Sequence, residues 1–551
     1  MRIRRLFVAA GVSFALVAGV ISSIPAASAA PSSQSVASAS KPASYTPPPV
    51  QWGACTSATL ASRGAQCGFV VVPLDYDHPN GTKIKLAVSR VMHKTPDSQA
   101  QGPMLVNPGG PGGSGLIYAI FGEFVPDNAG DAYDWIGFDP RGVGSSQPAL
   151  SCIPDYAGYN RPLYVPVTPK LEQVWINRSK AYAKACDSAQ HALLGHLTTL
   201  DSVRDMESIR KALGAPQINY YGFSYGPYLG QVYGTLYPNR FRRVVFDGVV
   251  NATRVWYDAN LDQDIAFDKS VKVFFAYVAA HNSVWHLGTT ERAVELRYYA
   301  ELYKLVGHPA DGKIGPDEWN DIFTQAAYYV YGWVDVANAF AAWVHDRDAA
   351  PLVDLFGSPP FNDNGYAVYL GVSCTDAKWP TNWNVWRRDN WRIYAQAPFL
   401  TWNNAWFNAP CAFWPAKAGN PVKVDGRHVQ SALLINETLD AATPYSGALQ
   451  TRKTFPHSVL IEGVGGTTHA GSLSGVTCTD DLIVAYLQTG ALPPRRAGNQ
   501  SDVKCPPVPA PEPEAAAAAA AKSSSGATAL RQELRSTVGP SVRSSTPRAA
   551  G

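Results

Sequence analysis

The stretch Ile218-Asn219-Tyr220-Tyr221-Gly222-Phe223-Ser224-Tyr225-Gly226 sets a short apolar run against a Gly-x-Ser-x-Gly pentapeptide, and a helix-compatible segment follows. Strand, tight turn and helix in that order are the context that a nucleophile elbow requires. The two glycines permit the crowded backbone of a turn that lifts Ser224 above a sheet, and the helix behind it offers free N–H groups. Such a pentapeptide also arises by chance, so the residues around it decide the reading.

A serine hydroxyl is a weak nucleophile at neutral pH; it needs an imidazole base, and the imidazole needs a carboxylate to fix its tautomer. On a strand–turn–helix elbow the acid and then the histidine follow the serine in the chain. The apolar run Ala432 to Asn436 leads into Glu437-Thr438-Leu439-Asp440, and the run Val459 to Glu462 leads into Gly465-Gly466-Thr467-Thr468-His469. Asp440 has the loop reach that Glu437, almost on its strand, lacks. His457 stands before its strand and His428 precedes the acid, which leaves His469. Upstream, Asn107-Pro108-Gly109-Gly110-Pro111-Gly112-Gly113-Ser114-Gly115 follows another apolar run. The N–H of Gly110 and that of Tyr225 are candidates for an oxyanion hole. No Gly-Lys-Ser/Thr follows, which argues against a phosphate-binding loop.

Working outward, Phe69 to Pro73 and Lys83 to Val91 flank a Pro79-Asn80-Gly81 turn and predict a hairpin. Short apolar runs at 104–107, 135–139, 218–222, 244–247, 432–436 and 459–462 alternate with helical segments such as 202–213. The fold class is therefore α/β, a mostly parallel sheet wound with helices. Residues 251–421 break the rhythm with helical patterns at 264–280, 291–306 and 321–344 and hold 12 of the 15 tryptophans, as a helical lid inserted between two parts of the core, 51–250 and 422–505. Residues 1–29 read as a signal peptide, with a basic start, about 16 apolar residues and a small-residue cleavage site; that run is short for a membrane span. Residues 30–50 are a flexible leader or propeptide, and 506–551 a disordered Pro/Ala/Ser-rich tail. The eight cysteines, Cys55, Cys67, Cys152, Cys186, Cys374, Cys411, Cys478 and Cys505, are expected in disulfides, most simply neighbour to neighbour. They show no metal-ligand spacing. A net charge of +3 over 551 residues, with no basic stripe, points away from nucleic acid. No cofactor, metal or stable membrane anchor is expected, and the protein is expected to be monomeric.

The segments NPGGPGGSG (107–115), DWIGFDPRGVGSS (134–146), YYGFSYGPYLG (220–230), LDAATPYSGA (439–448) and GGTTHAG (465–471) resemble, in order, those of the secreted tripeptidyl aminopeptidases of actinomycetes, relatives of the prolyl aminopeptidases. The resemblance covers Thr46 to Cys505. It implies an α/β-hydrolase fold with a helical lid, Ser224 as nucleophile, Asp440 as orienting acid and His469 as general acid and base. It also implies the release of short peptides from free N-termini of peptides or small proteins, in the extracellular space. Pro108 stands where prolyl aminopeptidases carry a histidine, which favours the tripeptidyl branch. A free amino terminus calls for a lid carboxylate, and Asp376, among the tryptophans, is the candidate; Arg141 is expected to be a structural ion-pair partner. The rival readings are an esterase or amidase for small metabolites with the same triad, and a binding module that kept the shell without catalysis.

Overall fold

The computed structural model describes residues 45–357 and 361–513. The expected signal peptide, residues 30–44 of the expected leader and the tail beyond residue 513 lie outside them; the end of the leader is packed and not flexible, with Val50 buried and the Tyr45 hydroxyl donating to the Val71 carbonyl at 2.9 Å. Ten strands form one sheet: β1 Gly53–Ala54, β2 Gln66–Pro73, β3 Lys83–Val91, β4 Pro103–Asn107, β5 Asp134–Phe138, β6 Ile218–Phe223, β7 Phe241–Asp247, β8 Ala432–Glu437, β9 Ser458–Gly463 and β10 Val503–Cys505. Their spatial order is β1-β2-β3-β5-β4-β6-β7-β8-β9-β10. The hairpin β2–β3 and its neighbours β1 and β5 pair antiparallel. From β5 through β4 to β10 every pairing is parallel.

Every residue of β6, β8 and β9 is buried. Strands covered on both faces read as continuous apolar runs, which is why these were visible in the sequence. The register aligns the strand ends: Asn107 opposite Gly222, Phe223 opposite Asp247, Asp247 opposite Ile435 and Glu437 opposite Gly463. The loops that leave β4, β6, β7, β8 and β9 therefore open at one edge, where ligands of open α/β sheets bind. Behind the sheet, the helix Thr199–Ala212 is capped by the Thr198 hydroxyl, which accepts from the Asp201 N–H. Its Asp205 binds the buried Arg141 through two hydrogen bonds of 2.7 and 2.8 Å. A 26-residue helix, Pro169–Leu194, has no counterpart among the expected elements.

The chain between β7 and β8 is helical, with Tyr257–Ala280, Glu291–Lys304, Pro316–Tyr328, Trp333–Asp346, Asp363–Asp376, Trp383–Tyr394 and Thr401–Asn408 as its main helices. The single helix expected over 321–344 is two. It breaks at Tyr329, which is extended (φ −143°, ψ 135°), because the Tyr328 carbonyl accepts the His469 N–H at 2.9 Å instead of continuing the helix. The tryptophans mostly bind the helices to one another. Trp379, Trp386, Trp383, Trp406 and Trp175 stack in a continuous ladder with centroids 4.9–5.6 Å apart.

The sulfurs pair in sequence order, Cys55–Cys67, Cys152–Cys186, Cys374–Cys411 and Cys478–Cys505. The tail expected to be disordered from Pro506 is packed over its first residues. Val508 is buried within the apolar cluster of the lid, and the Tyr277 hydroxyl donates to the Pro511 carbonyl at 2.6 Å. Burial of a single valine behind a run of prolines leaves no periodic trace in sequence.

Candidate active site

Ser224 stands between β6 and the helix Tyr225–Leu236, at the helix N-cap, with φ 61° and ψ −111°. A non-glycine residue there stores roughly 1–3 kcal/mol of strain, which the surrounding structure must hold. The Ser224 N–H donates to the Asp247 carbonyl at 2.9 Å. A Cβ on Gly222 would lie 2.7 Å from the Gly226 carbonyl carbon, and one on Gly226 would lie 2.8 Å from the Asn107 carbonyl oxygen. The two glycines are thus needed for close approach within the elbow and between the elbow and β4. Gly109 (φ 92°) lies against the elbow, where an added Cβ would meet Ser224 Cβ at 2.8 Å and the Tyr225 nitrogen at 2.9 Å. Gly110, Ser224 and Tyr225 line one cavity.

Asp440 and His469 come together in the interior. His469 Nδ1 lies 2.9 and 3.0 Å from the two oxygens of Asp440, and both side chains are shielded from solvent. Asp440 also accepts the N–H groups of Ala442 and Thr443, each at 2.9 Å, and the Thr443 hydroxyl at 2.8 Å. His469 Nε2 is buried and has no hydrogen-bond partner. Thr443 joins the two halves of the site, since it lines the cavity with Ser224 and its hydroxyl lies 3.3 Å from His469 Nδ1. The other candidates stand elsewhere. Glu437 accepts the N–H groups of Thr468 and Val508 at 2.5 and 2.6 Å, and burial pushes its carboxyl up to about 8. His428 and His457 are exposed.

Three contributors have no signature in the sequence. Asp247, at the end of β7, accepts the Ser472 N–H at 2.8 Å, ties the elbow to the histidine loop, and is raised to about 6 by burial. Gly248 (φ 70°) faces the imidazole, where a Cβ would lie 2.9 Å from His469 Cε1. Tyr328 holds the His469 backbone from the lid.

The lid contributes Trp256, Asn260, Asp262, Gln263 and Tyr369 to the cavity wall. Gln263 donates to the Ala442 carbonyl at 2.6 Å, which fastens the lid to the loop that carries the acid. Asp376 is not among the lining residues. Its carboxylate is turned to the Thr199 N–H and hydroxyl (2.6 and 2.5 Å) and to Trp256 Nε1 (3.3 Å), and burial raises it to about 6. The carboxylate on the wall is Asp262, which Arg254 holds by a 2.9 Å bond and a second, shorter one.

Residues 102–470 match the family model described as alpha/beta hydrolase fold. The chain is 40% identical over 474 residues to a tripeptidyl aminopeptidase of Streptomyces coelicolor, covering 83% of this chain and 86% of the relative. It is 29% identical to serine protease Hip1 of Mycobacterium tuberculosis, covering 82% and 90%. A carboxylesterase B of the same species is 30% identical, covering 81% and 89%.

Proposed function

Because the chain belongs to the α/β-hydrolase family, as a serine hydrolase of the peptidase kind, we propose that Ser224, His469 and Asp440 are its catalytic triad. The protein, in this reading, is an exported exopeptidase that releases tripeptides from free N-termini. The observation that carries this is an imidazole bound on Nδ1 by a buried carboxylate, with Nε2 bonded to nothing in this structure, so that its bond to the Ser224 hydroxyl belongs to the substrate complex. A base must present that arrangement to a serine hydroxyl.

The Ser224 oxygen attacks the scissile carbonyl while His469 Nε2 takes its proton, and the carbonyl electron pair moves onto oxygen. The N–H groups of Gly110 and Tyr225 receive that oxyanion. When the C–N bond breaks, His469 returns the proton to the departing amine, leaving an acyl-Ser224 ester. Water then repeats the sequence and frees the peptide. Asp440 stays ionised and stabilises the imidazolium. For the substrate's ammonium group, Asp262 on the cavity wall is better placed than Asp376, whose carboxylate is committed to Thr199 and Trp256. Asp376 then acts behind the wall, by orienting Trp256. Export is supported by the pairing of all eight cysteines, since disulfides form and persist chiefly in oxidising compartments. Among the described residues, no helix is long and apolar enough to cross a membrane.

A set of chromogenic peptide amides of two to four residues, each with a free and a blocked N-terminus, tests the reading. Release of chromophore from free tripeptides, with blocked forms at least tenfold slower, is expected; equal rates on blocked substrates would refute the exopeptidase assignment. The 30% identical carboxylesterase favours the esterase alternative, which predicts rapid turnover of short acyl esters and none of the peptides. The Asp262→Asn substitution should raise KM for free N-termini and leave blocked substrates unaffected.

A further inference from the structure

A second cavity, of about 100 Å³, opens on the lid and shares no lining residue with the catalytic one. Its walls are aromatic: Tyr298, Tyr299 and Tyr303 from the helix Glu291–Lys304, Tyr394, Phe399 and Trp402. Tyr303 and Val167 lie at its exposed side. Asp317, in the first turn of the helix Pro316–Tyr328, also lines it and is 1% exposed.

The charges around Asp317 do not balance. Arg161 is the cation of the cluster, and it is engaged by Glu318 at 3.2 Å and Asp321 at 2.7 Å. Both of those carboxylates are further satisfied, Glu318 by the Gly315 N–H and Asp321 by the Tyr164 hydroxyl and Asn403. Asp317 receives the Tyr164 N–H on Oδ1 at 2.8 Å, while its Oδ2 is buried with no partner. The Trp402 Nε1–H, on the same wall, is buried without an acceptor. Unpaired buried groups of this kind cost roughly 1–3 kcal/mol each. A cavity whose walls include both residues, among ring faces that attract positive charge, is complementary to a specific chemistry.

We propose that this cavity binds a small organic ammonium ion that carries an oxygen acceptor, with the cationic head against Asp317 and the tyrosine and tryptophan rings and the oxygen on Trp402 Nε1–H. The cavity is small, about 100 Å³, so the ligand is a compact amino alcohol or a quaternary analogue. Burial pushes the Asp317 carboxyl well above the usual carboxylate range and Arg161, shared with Glu318 and Asp321, offsets this only in part, so a bound cation would favour its ionised form. The site is independent of the triad reading.

Calorimetric titration of the full chain with choline, after Ser224 has been blocked by a sulfonyl fluoride, tests the site without interference from the catalytic cavity. Saturable one-site binding is expected. Asp317→Asn should weaken it by about tenfold or more, and so should Tyr299→Leu, which keeps apolar volume but removes a ring face. The neutral carbon isostere 3,3-dimethyl-1-butanol should bind at least about tenfold more weakly than choline. Both variants should hydrolyse ester substrates at the parent rate when Ser224 is left unblocked. Absence of saturable choline binding in the millimolar range, equal binding of the neutral isostere, or binding indifferent to both substitutions would overturn the proposal.

Discussion

At the scale of single residues, the Asp440 carboxylate is fixed from three sides before the imidazole reaches it, by Ala442, Thr443 and the Thr443 hydroxyl. Removing its charge while keeping its shape, in Asp440→Asn, should lower kcat by about 10⁴-fold because the imidazole is left in the wrong tautomer. Steady-state kinetics with an unchanged Tm would establish that the loss is chemical. Gly248→Ala should also reduce kcat, since the new methyl meets His469 Cε1 at 2.9 Å. Glu437 acts on stability instead. Its folded-state carboxyl titrates near 8 against an ordinary value of 4.5, so the folded state binds the extra proton between those values. Stability from this group is full below about 4.5 and falls as pH rises toward 8. Asp247 adds the same sign between 3.8 and about 6. Chemical denaturation across pH 5 to 8 should show a downward slope that Glu437→Gln flattens; an unchanged slope would refute the assignment. The pairing of Asp440 with His469 was legible because each follows an apolar run in a loop punctuated by glycine or proline. Asp247 and Gly248 were not, since each matters through contacts with chain distant in sequence, and Thr443, which bonds Asp440 three residues away, also approaches His469 across 26 residues.

At the scale of elements, the central strands were legible because both of their faces are buried, whereas the edge strands β1 and β10, of two and three residues, carry too short a pattern. The lid helix broken at Tyr329 shows the limit of periodicity. Both halves are apolar on one face, and the interruption is dictated by a backbone bond to His469. The lid also carries the Cys374–Cys411 bridge, which closes a loop with a sequence separation of 37. By chain entropy, replacing both cysteines by serine should cost about 4 kcal/mol, read as a lowered denaturation midpoint. A loss near zero would mean that the Trp379–Trp386–Trp383–Trp406 ladder holds those helices without the bridge.

At the scale of the whole molecule, the chain closes on itself at the catalytic edge. β10 pairs with β9, the Cys478–Cys505 bridge secures it, and Val508 then reaches both Glu437 and the lid cluster. Truncation before Pro506 should therefore lower Tm and kcat together, because it unpins the strand that carries the acid and one side of the lid. In the proposed mechanism a single serine, activated by a single histidine, carries the chemistry. Labelling with a fluorophosphonate, followed by peptide mass spectrometry, tests this most directly. One adduct per chain on Ser224, formed in step with the loss of hydrolysis and absent from His469→Ala, is the predicted result. An adduct on another residue, or undiminished labelling of Ser224 in His469→Ala, would contradict it.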